Sequence, residues 1–220
     1  MRRCFCVPGE SESDQARLRP PLPGGVVRCG RWHGMGGTIR GTVRFTGAAV
    51  EQKKLPVTVD HSVCGKEKDA EDIVLSPEKG IRNVVVSLQT PPPGATWPVS
   101  LPSVQLDQQQ CVYVPRVVVV PVGGTVEFLN TDRLLHNLHS NSTGNPTFNR
   151  TQPRGRTIPI VFTKPEIVRV DCDLHPWMRA WVVVAEHPFY AVTNDQGSSC
   201  STMYPRASIP SSSGRKAWEP

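Results

Sequence analysis

Four side chains of this 220-residue chain combine the types and the spacing that hold a soft metal ion. The run Cys172-Asp173-Leu174-His175-Pro176-Trp177-Met178 brings a thiol, an imidazole and a thioether close together in sequence, and His136, followed by Asn137, adds a second imidazole. One thiolate, two imidazoles and a weak axial thioether form the donor set of type 1 copper, where a fixed compromise geometry allows one-electron exchange with little ligand movement. A single Cys with a Met is a poor set for zinc. Each residue alone has a plainer reading: a strand Cys is most often a small buried hydrophobe, and Met178 is ordinary core. Their joint spacing is what points to a metal. His139 competes with His136 for the second imidazole position, whereas His61 and His187 read as structural and His33 lies in the N-terminal lead.

Such donors need a rigid frame. From Gly37 onward the chain reads as short strands, with Thr38–Thr46 largely alternating apolar and polar residues. Further candidates are 82–88, 111–114, 116–122, 124–129, 158–163, 166–172 and 180–186, many of them separated by turn residues such as Gly123-Gly124 and Lys164-Pro165. Helical periodicity is missing; the charge-rich stretch 61–72 reads as a solvated loop or short helix. Many short strands with Gly/Pro punctuation predict an all-β sandwich. The metal loop falls between the strand-like runs Glu166–Cys172 and Ala180–Glu186. Thr125–Leu129 leads towards His136, and Asn137 is placed to hydrogen-bond across to the Cys loop, the outer support that such ligands require.

Composition removes other classes. The chain has 25 Lys+Arg against 19 Asp+Glu, but from Gly37 to Gly197 the count is 16 against 15. The excess sits in the ends, without interleaved aromatics, which is a poor nucleic-acid footprint. No stretch of about 20 apolar residues predicts a transmembrane helix. The N-terminus shows no apolar signal region, and Arg2-Arg3 alone is too little for a twin-arginine signal. With Cys172 assigned to a metal, Cys64 and Cys111 are left as an even pair. A disulfide between them would suit an oxidising compartment, the alternative being two buried free thiols. The sequons at Asn141 and Asn149 carry little weight, because such matches are common by chance.

The Cys-x2-His-x2-Met loop resembles that of the amicyanin branch of the cupredoxins, where Pro also follows the loop His. The segment Pro121–Asp132, followed by His136-Asn137-Leu138-His139, is similar to that family's earlier strand and first ligand. Trp177, in place of another aromatic residue, is a mild departure. The resemblance implies a Greek-key β-sandwich over residues 108–187 with one type 1 copper ion on His136, Cys172, His175 and Met178. It also implies a non-enzymatic, exported or periplasmic carrier of single electrons between redox partner proteins. His175, flanked by Pro176 and Trp177, is expected near the surface as the electron entry point. The competing expectation is a non-redox β-sandwich module that binds carbohydrate or protein, its Cys–His–Met loop structural or degenerate.

A second resemblance, to carboxypeptidase regulatory-like domains, rests on Gly37–Val43, Asn83–Leu88 and Tyr190–Ser198. It implies an additional, incomplete β-sandwich over 37–107, resumed at 188–198 after the copper domain. Residues 1–36 are expected to be a disordered lead and 199–220 a disordered tail. Read in a neighbouring frame of the genetic code, 199–220 permits a Val-Pro-Pro-Gly turn and a final alternating strand. The tail is therefore expected to be a frameshifted form of two strands.

Overall fold

The computed structural model describes residues 37–48, 50–92, 97 and 103–204, with backbone alone at 37 and 202–204. In chain order the elements are β1 (Gly37–Thr42), β2 (Lys54–Pro56), α1 (His61–Cys64), β3 (Glu67–Asp69), β4 (Val85–Ser87) and β5 (Val104–Gln109). They continue with β6 (Val112–Val114), β7 (Val117–Pro121), β8 (Thr125–Asn130), β9 (His136–Asn141) and β10 (Asn149–Gln152). The last are β11 (Ile158–Val161), β12 (Glu166–Asp171), β13 (Arg179–Ala185), β14 (Tyr190–Val192) and β15 (Ser198–Tyr204).

The described residues are nearly all β, as the many short strands with Gly/Pro punctuation predict. Two sheets make the sandwich: a five-stranded one in the order β10-β9-β12-β13-β7 and a four-stranded one in the order β11-β8-β5-β6. Alternation decides which side chains lie between them. In β8, Val126, Phe128 and Asn130 are buried while their neighbours are half-exposed; in β13, Ala180, Val182 and Val184 are buried. These meet Leu106, Leu138, Val168 and Val170 in one core cluster. Parity then places the chemistry. Cys172 continues the inward series Val168, Val170, and His136 begins the inward series Leu138, Ser140.

Three strands of the sandwich were not expected. In β5, β9 and β10, buried positions are often polar: Gln108, Ser140 and Gln152. Gln108 donates to Gln152 across the two sheets, and Gln152 also donates to the Phe128 carbonyl at 2.8 Å, so both amide nitrogens are buried with partners, while the Gln108 Oε1 has none among the described residues. Because β5 begins at Val104, the sandwich starts ahead of the expected boundary at 108.

Outside it, the described residues form three two-stranded sheets: β1 with β15, β4 with β14, and β2 with β3. The segment after the sandwich thus returns to pair with the segment before it. Gly197, at φ 73°, makes this approach feasible, since a Cβ there would stand 2.5 Å from the Val43 carbonyl oxygen. The expected disordered tail is corrected at its start, because 199–204 lie in β15, held by ladder bonds to β1. The rest of that tail, from 205, and the lead 1–36 lie outside the described residues.

Candidate metal centre

The loop between β12 and β13 is tightly wound by its own backbone. The His175 N–H donates to the Cys172 carbonyl at 3.3 Å, Met178 N–H to the His175 carbonyl at 2.8 Å, and Cys172 N–H to the Met178 carbonyl at 3.3 Å. β9 lies antiparallel to β12 with His139 opposite Asp171, which brings His136 alongside the loop. Asn137 ties the two together. Its Oδ1 accepts from the Asp173 N–H at 2.7 Å, and its Nδ2 donates to Asp173 Oδ2 at 2.9 Å, the cross-link foreseen from its position.

The result is a convergence of three soft donor atoms. His136 Nδ1 and His175 Nδ1 are 2.9 Å apart, and Cys172 Sγ lies 3.9 Å from the first and 3.6 Å from the second. Both imidazoles are fully buried, and Cys172 and Met178 nearly so. Met178 closes the loop from inside the core; its backbone is placed by the turn just described. His139 is on the opposite face of β9, where its Nδ1 meets Asp173 Oδ1 at 2.8 Å. Strand parity thus separates it from the cluster.

Each imidazole is held from behind by a carboxylate. His136 Nε2 is 2.9 Å from Asp132 Oδ2, and His175 Nε2 is 3.0 Å from Asp60 Oδ2. An ionised carboxylate only accepts, so each ring gives its Nε2 proton outward and turns Nδ1 inward. Asp132 is itself fixed by the N–H groups of Gln110 and Cys111, the turn between β5 and β6. Burial works against the His136 imidazolium, but its bonds to Asp132 and Cys172 outweigh that and raise its pKa to about 9. Burial dominates at His175 and lowers its pKa despite Asp60. The two shifts run in opposite directions, so a proton shared between the two Nδ1 atoms is favoured on His136 over His175.

The donor set fits a metal ion. Ligands about 2.0–2.3 Å from a central ion and spread around it stand roughly 3.5–4 Å apart, and the two sulfur–nitrogen separations match this. Two Nδ1 lone pairs at 2.9 Å repel unless a proton or cation lies between them. A proton satisfies one pair of atoms, whereas a metal ion can engage all three. The chemistry of the donors, with one thiolate and two imidazoles, suits copper.

Several features were invisible in the sequence. Asp132 ends the segment that carries the resemblance but has no role assigned there, and Asp60, which carries no motif, lies 115 residues from its partner. Cys64 and Cys111 form the expected disulfide, but its location beside the His175 ring was not foreseen; a ring nitrogen and both sulfurs lie within 4.8 Å of one another. Trp177 donates its Nε1–H to the Cys111 carbonyl at 3.1 Å and sits 5.3 Å from the His175 ring. The expectation of a ring edge open to a partner is corrected: the His175 ring is fully buried, with the half-exposed Asp60 carboxylate on its Nε2 and Cys64 close beside it.

No protein-family profile matches this chain, and no curated protein sequence does. Solved structures similar to part of it include a copper-containing nitrite reductase from Thermus scotoductus, at 26% identity over 44% of this chain and 25% of that one, TM-score 0.37. This chain thus spans about a quarter of that enzyme's length. A purple cupredoxin from Nitrosopumilus maritimus is similar at 25% identity over 38% of this chain and 100% of its own, TM-score 0.34. An oxidised proline-to-alanine variant of amicyanin is similar at 26% identity over 38% of this chain and 82% of its own, TM-score 0.36.

Proposed function

We propose that this chain binds one copper ion through His136, Cys172 and His175, with Met178 as the weak fourth donor, and carries single electrons between redox partner proteins. The observation that carries this reading is the convergence of two Nδ1 atoms and one Sγ, with each ring's Nε2 turned outward onto a carboxylate. Bound copper supplies one-electron chemistry by cycling between two oxidation states. The protein's part is to hold the donors still. Asp132 and Asp60 fix the two rings, Asn137 fixes the loop, and burial of the donor side chains keeps water out. With every proposed donor buried, the site is closed, which supports a carrier rather than an enzyme.

Cys172 provides the strong covalent donor and the main electronic path. Leu174, next to His175 in the loop and 46% exposed, gives a partner an apolar contact. The buried Cys64–Cys111 disulfide supports an exported or periplasmic setting. Reconstitution with Cu(II) tests the reading. An intense visible band from Cys172-to-copper charge transfer is expected, and it disappears in Cys172→Ser. A colourless protein indifferent to copper would instead favour the carbohydrate- or protein-binding module and would sink the electron-transfer claim.

A further inference from the structure

The Nε2 atom of His175 faces away from Cys172 and His136 and meets a carboxylate from outside the sandwich. Asp60 is in the left-handed region, at φ 55°, immediately before α1. Its contact is not an isolated surface encounter. Cys64 in α1 is disulfide-bonded to Cys111; Lys68 Nζ donates to the Gln110 carbonyl at 2.6 Å. Arg116 reaches Glu71 at 3.0 Å and the Ala70 carbonyl at 3.4 Å, while Val57 is buried in the core cluster. The segment 54–72 is thus a strap fastened to the turn beneath His175, and Asp60 is the point at which it touches the ring.

We propose that Asp60 is a positioning residue for His175, and that the strap carrying it shuts the ring edge to direct contact with a redox partner. A neutral imidazole has one N–H, and an acceptor at Nε2 holds the proton there, leaving Nδ1 free for the site. The half-exposed carboxylate also places a negative charge one hydrogen bond from a ligand, which favours the more highly charged oxidised ion. Electrons then enter through the strap or by the Cys172 side rather than across an open ring edge. The electron-transfer part rests on the copper reading; the hydrogen bond does not.

Full-length wild type, Asp60→Asn and Asp60→Ala are compared first without metal, by NMR of the His175 Nε2 proton. In wild type it is expected downfield and slow to exchange with solvent. Asp60→Asn keeps the acceptor and the protected proton, whereas Asp60→Ala loses at least tenfold in protection. After copper loading, both variants shift the reduction potential upward, but only Asp60→Ala, with the ring edge opened, speeds electron self-exchange, by at least tenfold. An Nε2 proton equally protected in Asp60→Ala overturns the positioning role, and unchanged self-exchange in that variant overturns the closed edge. If no variant takes up copper, the Nε2 result still decides the role of Asp60, and the copper reading alone fails.

Discussion

Replacing both cysteines of the strap, Cys64→Ala with Cys111→Ala, should release it from the sandwich. The disulfide spans 47 positions of sequence, between α1 and the turn joining β5 to β6. Opening a loop of that size returns roughly 14 cal/mol/K of chain entropy to the unfolded state, or about 4 kcal/mol at 25 °C. Both sulfurs are buried, so their loss adds a packing cost of order 1 kcal/mol each. The remaining ties are weaker. The Lys68 bond is exposed, and the Arg116–Glu71 pair is only partly shielded, so each offsets about 1 kcal/mol or less. Urea unfolding of the metal-free protein should show a stability loss of about 4 kcal/mol or more, a chelator preventing bound metal from masking it. Amide exchange adds the spatial test. Protection should fall first across residues 54–69, while β12 and β13 keep theirs until global unfolding. A loss below about 1 kcal/mol, or strap amides as protected as in wild type, would show that packing and not the disulfide holds the strap, and would refute this reasoning.

Two further changes probe the frame around the centre. Burial opposes ionisation of Glu166, but bonds from the Ser142 hydroxyl, the Thr143 N–H and Asn145 hold its carboxyl far below the usual range. A depressed folded pKa stabilises above the unfolded value and is lost as pH falls, so wild type should lose stability below about pH 4.5 more steeply than Glu166→Gln in acid-unfolding curves. Asn137→Ala leaves the Asp173 N–H without its cross-strand acceptor, although the Asp173 carboxylate keeps Asn149 and His139. It should cost about 1–3 kcal/mol in denaturant unfolding and should broaden the visible band of the copper-loaded protein as the Cys loop loosens.

The parts of this fold legible in the sequence are those where apolar residues do the positioning. Runs dominated by Val, Ile and Phe between turn residues located β7, β8, β12 and β13, and the inward parity of Val168 and Val170 in β12 points Cys172 inward. β9 escaped because it carries only one large apolar residue, Leu138, between inward His136 and Ser140. Hydrophobic alternation cannot register a strand whose inward groups are buried by being hydrogen-bonded. The turn at Gln110 and Cys111 was hidden for a related reason. Both residues have positive φ without being glycine, a conformation sustained by the Asp132 carboxylate, which accepts both of their N–H groups. That one carboxylate also holds His136, so the turn, the disulfide cysteine and a proposed ligand share an anchor. The His175 edge failed differently. Its expected exposure was read from its loop neighbours Pro176 and Trp177, whereas what lies against it comes from Asp60 and Cys64, far away in the sequence. The charge-rich stretch 61–72 reads as solvated because most of its charges do face water, Lys68 and Glu71 being half-buried; Asp60, just before it, and Cys64 within it turn towards the site. Contacts made by two residues of a polar segment leave no periodic trace, yet in this chain they lie against the His175 ring and help to bury it.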